Sequence, residues 1–251
     1  MEDEGHGFQI TDSAQTMYRA RRAAPRRVRW QFAPAGQARM RSDPLVDEAC
    51  AGEPERLIVP AVDSMLADVR ACTLCAGHLP HGPRPVLQLH PAARILIAAQ
   101  APGRKVHESG IPFDDASGDR LRRWLGVTAE AFYNPRLFAI VPMGLCYPGK
   151  GSSGDLPPRP ECAPRWRRPL LATLQSLKLT LVVGQYAASY HLPQARSGLT
   201  DRVRNWRLHW PDVVPLPHPS PTNNRWLARN RWFEAELVPE LQTLVAQVLR
   251  E

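Results

Sequence analysis

The chain has 251 residues, 43% of them hydrophobic, and 32 Lys and Arg against 24 Asp and Glu give it a formal net charge of +8. That length and apolar share suit one sizeable α/β domain or two small ones. No apolar run approaches the ~18–20 residues of a bilayer-spanning helix, and five cysteines in a chain this long argue against a secreted disulfide scaffold.

The N-terminus opens on Glu2, Asp3 and Glu4 with no apolar stretch behind them. Neither a signal peptide nor a transit peptide is expected, and the reading is a cytoplasmic protein without a membrane partner. Residues 1–41 hold eight arginines and four acids, about half of the basic excess. With no sustained period, residues 1–55 read as a flexible basic segment, and residues 56–251 as the folded domain. A basic balance suits a polyanion such as nucleic acid. The bland reading, an arginine-rich solvated surface, weighs about equally on charge alone.

Residues 57–70, "LIVPAVDSMLADVR", place apolar positions at helical spacing and lead into Cys72. Four short apolar runs follow: 94–100, 137–143, 179–185 and 212–218. They are continuous rather than alternating, as in parallel strands covered on both faces. Helical patterns separate them. "SGDRLRRWLG" offers Ser117 as a cap, an apolar face of Leu121, Trp124 and Leu125, and Gly126 as a stop. "RRPLLATLQSL" carries a leucine stripe, and residues 231–249 form a long amphipathic helix with a bend expected at Pro239. The fold class is α/β, a three-layer α/β/α sandwich around a four-stranded parallel sheet. In such sheets function gathers at the carboxyl ends of the strands.

The chemistry-bearing stretches begin there. After the first run comes "AQAPGRKVHESGIPFDDASGDRL", with His107, Glu108, Phe113, Asp114 and Asp115. An aromatic face beside an ionised acid can hold a flat heterocycle and stabilise a developing cation. The plainer role for Asp115 or Ser117 is a helix cap. After the fourth run comes "HPSPTNN", a histidine held between prolines, which alone would read as structural. Cys72 and Cys75 form Cys-x2-Cys, and Cys146 and Cys162 follow with 15 residues between them. Four such thiolates suit a [4Fe–4S] cluster or a tetrahedral zinc, and softness alone does not choose. Cys50 is left without a role.

Together these stretches resemble the uracil-DNA glycosylase superfamily over about residues 65–249. "AQAPG" at 99–103 is similar to its first motif and "HPSPTN" at 218–223 to its last. The cysteine spacing resembles the iron–sulfur branches, families four and five, and "FDDASGDRL" is similar to the "F-x-G-D-R-S-G-D" stretch of family five. The resemblance implies excision of uracil, and of other deaminated bases, from DNA by base flipping. It implies His218 and Asp115 as catalytic residues, His218 stabilising the departing base anion and Asp115 the sugar cation. Gln100, Ala101, Phe113 and His218 would bind the base, with Phe113 stacking on it. Ser220, Asn223 and Arg225 would contact DNA. Cys72, Cys75, Cys146 and Cys162 would hold a [4Fe–4S] cluster in preference to zinc, in a monomer.

The departures from the pattern matter too. Family four has Glu where Gln100 stands, and family one an Asp where Ala101 stands, so neither motif-one acid is present. Pro142 replaces a base-reading Asn. An acid must come from the loop, with Asp115 favoured over Asp114 and Glu108. The alternative is a non-catalytic protein on the same scaffold that binds DNA lesions or abasic sites; a zinc-stabilised nucleic-acid module is a third.

Overall fold

The computed structural model describes residues 54–152, 154–193 and 198–250. The basic segment expected over residues 1–55 lies outside them up to residue 53, and Cys50 with it. Helix α1 spans Pro54–Arg70. After an irregular stretch come strand β1 (Ile95–Ala98), helices α2 (Arg104–Ser109), α3 (Ala116–Leu125) and α4 (Ala129–Tyr133), and strand β2 (Phe138–Ile140). A small hairpin, β3 (Lys150–Gly151) and β4 (Gly154–Asp155), precedes α5 (Arg168–Ala172), β5 (Leu179–Val183), α6 (Gly184–His191) and α7 (Leu199–Arg204). Strand β6 (Val213–Leu216), helix α8 (Asn224–Arg229) and helix α9 (Val238–Arg250) complete the order.

The sheet has the order β2-β1-β5-β6, and every pairing is parallel. Register follows burial. Ile95 pairs with Phe138 on one side and Leu179 on the other. Ile95, Ile97, Phe138, Ile140 and Leu181 turn toward α3 and α9, where Leu121, Trp124, Leu241 and Val245 meet them. Leu96, Ala139 and Val141 turn the opposite way, against Val62 and Leu66 of α1 and Leu170 of α5. Both faces are covered, which is why the strand runs are apolar without alternation. The expected three-layer architecture is present. The strands are shorter than the apolar runs because the runs continue past their last pairing, three into loops and that of β5 into α6.

Two wide, π-type turns share one cause. Ala163–Arg167 precedes α5 and Phe233–Leu237 precedes α9, and in both a proline, Pro169 or Pro239, follows two residues later. Proline has no N–H to donate, and its ring pushes on the carbonyl four residues back, which opens the turn. The bend expected at Pro239 thus falls in the turn just before it. Arg167, 1% exposed, ends the first of these turns. It donates to the Val141 and Pro142 carbonyls at 3.0 and 3.3 Å and so fastens α5 to the end of β2.

Helix α3 takes one of the two caps expected for it. Its cap is Asp115, whose Oδ1 accepts from the Gly118 N–H at 2.9 Å, while Ser117 is buried in the first turn. The Asp115 cap starts the helix two residues earlier and sets a negative charge at its N-terminus, where such a charge is favoured. Gly126 ends the helix in a left-handed conformation, as expected.

Candidate functional site

A cleft of about 570 Å³ opens at the carboxyl ends of the strands. The loop after β1 supplies Gln100 and Ala101, the loop before α3 supplies Phe113 and Asp115, and the loop after β6 supplies His218, Ser220 and Asn223. Pro142, after β2, lies on its wall. These segments converge because the strands of the parallel sheet end on the same side.

His218 is held by its own turn. Its Nδ1 accepts from the Ser220 backbone N–H at 3.2 Å, and the Asn223 amide donates to its carbonyl at 2.7 Å. Accepting at Nδ1 requires the neutral ring to carry its proton on Nε2. Burial pushes the imidazole below its ordinary value of 6.5, against the weaker opposing pull of Asp115 and Asp155. The ring is thus a neutral donor near pH 7, with no reorganisation required. Arg120 braces the same turn from α3, donating to the Ser220 carbonyl at 3.1 Å and to Asn224 Oδ1 at 2.8 Å.

Phe113 sits at φ 56, a left-handed backbone for a bulky side chain. Such a conformation costs roughly 1–3 kcal/mol and persists only where its surroundings impose it. Here they do. A Cβ on Gly118 would lie 1.8 Å from the Phe113 carbonyl oxygen, so only glycine lets that carbonyl settle against α3. The Tyr133 hydroxyl donates to the same oxygen at 3.3 Å, and Phe132 meets the Phe113 ring edge-on. The backbone strain aims the ring into the cleft.

Asp115 both caps α3 and lines the cleft. Of the other acids weighed, Glu108 is exposed and paired with Arg104 at 2.8 Å, and neither it nor Asp114 lines the cleft. An acid outside that set does: Asp155, the last residue of β4. The Tyr147 hydroxyl donates to its Oδ1 at 3.3 Å. The Oδ2 atoms of Asp155 and Asp115 lie 3.6 and 4.0 Å from the point where a side chain on Gly103 would begin. Two carboxylates thus face one another across a missing side chain. Arg225, on α8, is exposed and outside the cleft lining. His107 packs with His81 and Tyr147, ring centroids 5.9 and 6.0 Å away.

The four expected cysteines line a second, much smaller cavity of about 10 Å³, beside Leu79, Leu145 and Trp166. Sulfur acceptors are engaged: Trp166 Nε1 donates to Cys72 Sγ at 3.2 Å and the Leu145 N–H to Cys162 Sγ at 3.3 Å. Burial pushes the Cys146 thiol up to about 12 and the Cys162 thiol to about 11. Among the described residues, no group of three or more His, Cys, Asp or Glu is gathered as a single metal ion would require. A soft, four-thiol donor set in an apolar pocket is nonetheless the chemistry that a metal–thiolate group uses.

Residues 88–242, more than half of the sequence, match the family described as the uracil DNA glycosylase superfamily. The chain belongs to this superfamily. It is, in general class, a DNA glycosylase, a hydrolase of the bond between base and deoxyribose, with DNA as its partner. The matched span takes in every residue of the cleft except Val86, together with Cys146 and Cys162, and leaves Cys72 and Cys75 outside. No helix among the described residues is long and apolar enough to cross a membrane.

As a glycosylase cleft the arrangement is complete in kind: an aromatic face, a neutral donor and two carboxylates. Reading the sequence alone missed Asp155 and Arg120. A turn signal, "GKGSSGD", marked the hairpin that carries Asp155, whereas nothing local announced that Arg120 would brace a loop a hundred residues away.

Proposed function

We propose that this glycosylase removes uracil from DNA, with other deaminated bases as further substrates, acting as a monomer. The observation that carries the reading is the tautomer of His218. Its Nδ1 is occupied by the Ser220 N–H, so Nε2–H is the donor left for the cleft. The target base leaves the stack and enters the cleft, where Phe113 covers one face of its ring. As the C1′–N bond breaks, charge develops on the base carbonyl oxygen, and the His218 Nε2–H is already aimed to receive it. Asp115, fixed by its cap bond, supplies the negative charge that a cationic sugar needs. Ser220, Asn223 and Arg225 lie on or beside the turn that would meet the minor groove.

We further propose that Cys72, Cys75, Cys146 and Cys162 hold a [4Fe–4S] cluster. What supports it is their convergence on one cavity with N–H donors already directed at sulfur. A tetrahedral zinc would draw the sulfurs closer together than a four-iron cube does. When bound, such a cluster supplies cross-links between the segment after α1, the loop after β2 and the start of the turn before α5.

The test is base release by pure protein from strands containing uracil, hypoxanthine or xanthine, with free base identified by mass. Visible absorbance of the same sample reports the cluster, since closed-shell zinc has none. Release of uracil is the expected result. Tight DNA binding without release of any base would favour the non-catalytic lesion binder, and a colourless protein with stoichiometric zinc would reject the cluster.

A further inference from the structure

Resting on the glycosylase reading, we infer that Asp155 is a catalytic residue and that it positions and deprotonates the attacking water. The two motif-one positions, Gln100 and Ala101, carry no acid. Asp115 is committed: its Oδ1 caps α3, and its charge sits at the helix N-terminus, where a negative charge is favoured. It is suited to remain ionised beside a cationic sugar. Asp155 is arranged differently. Among the described residues the donor to its Oδ1 is Tyr147, at a long 3.3 Å, and its Oδ2 is directed to the same gap above Gly103 as that of Asp115. Tyr147 is itself fixed, 2% exposed and stacked on His81 at 5.4 Å. The carboxylate is therefore held from behind while its second oxygen faces the cleft. Both carboxylates act electrostatically on His218, which places all three around one volume.

The step balances as a hydrolysis. The C1′–N bond breaks and its electron pair leaves with the base, whose anion His218 stabilises. The water oxygen bonds to C1′, and its proton passes to Asp155 Oδ2. The base anion then takes a proton from solvent, and Asp155 returns its own. A gap framed by two carboxylates, one ionised to hold the cation and one free to take a proton, is what this sequence of events requires.

The experiment is single-turnover base release from a uracil-containing single strand by Asp155→Asn, beside a binding measurement on the same strand. Asp155 is exposed on a hairpin, so the substitution leaves the core untouched. The expected result is a rate loss of about 100-fold, the usual scale for losing a general base, with DNA binding unchanged or tighter because a negative charge has gone. Tyr147→Phe, which keeps the carboxylate and removes its anchor, is expected to lose about tenfold or less. A variant Asp155→Asn within about threefold of wild type overturns the inference, as does a parallel loss of DNA binding, which would mark a structural role. In either case wild-type release still stands as evidence for the glycosylase reading. A wild type that releases no base sinks both.

Discussion

The base cleft and the cysteine cavity share the loop after β2 and behave as opposites. The cleft holds about 570 Å³ and sets charged and polar groups, His218, Asp115 and Asp155 among them, beside apolar ones. The cavity holds about 10 Å³, is walled by leucine, proline and tryptophan, and pushes its thiols up by burial. One region is arranged to receive a ligand and do chemistry on it. The other is arranged to hold together segments that are far apart in sequence. They meet at the loop after β2: Leu145 and Cys146 line the cavity, and Tyr147 anchors Asp155 in the cleft.

The sharpest way to break this contrast is to remove a thiol. Cys146→Ala is expected to abolish cluster binding, forfeiting on the order of 10 kcal/mol of metal-coupled folding free energy. Lost visible absorbance and a collapse in thermal stability and soluble yield would show it. A stable, active, colourless variant would mean that the cavity is ordinary core. In the cleft the effect should be chemical and not structural. His218→Ala is expected to slow base release by about 10²–10³-fold with the melting temperature nearly unchanged.

Gly103→Ala tests the gap between the carboxylates. The backbone there, at φ -82 and ψ 176, suits alanine, and the new methyl would meet ordinary contacts of 3.6 and 4.0 Å. The fold should therefore stand while release falls by about 10- to 100-fold, the penalty for displacing a reacting group. An unchanged rate would show that the gap is not where water reacts.

A test by pH separates titration in the core from titration at the site. His191 is pushed down to about 3, first by burial and then by Arg167, whose Nη2 lies 2.5 Å from its Nε2. A histidine with a lowered folded value stabilises the protein fully above its ordinary 6.5. Stability should then fall as pH drops from 6.5 toward 3, by at most about 1.4 kcal/mol per unit from this group. Melting curves of wild type and His191→Gln across that range check it, the variant being flatter.

The sheet was legible because both of its faces are covered, so each strand announced itself as an unbroken apolar run ending in Pro or Gly. His218 was legible for the same reason, being fixed at the end of such a run. Phe113 was visible as an aromatic beside acids, but its left-handed backbone was not, since that depends on Gly118 and Tyr133 closing around its carbonyl. Asp115 was open to both a cap and an acid reading, and the structure shows the cap and places the residue on the cleft wall. Asp155 stayed hidden because its role depends on Tyr147 behind it and Gly103 opposite, neither of which spacing along the chain can bring together.

The central claim is that the cleft excises a base. Excess protein should be incubated with a uracil-containing single strand and both products followed, free uracil by mass and the abasic strand by alkaline cleavage. The account expects both to appear in equal amounts and stoichiometric with the strand. Saturated binding with neither product formed would contradict it.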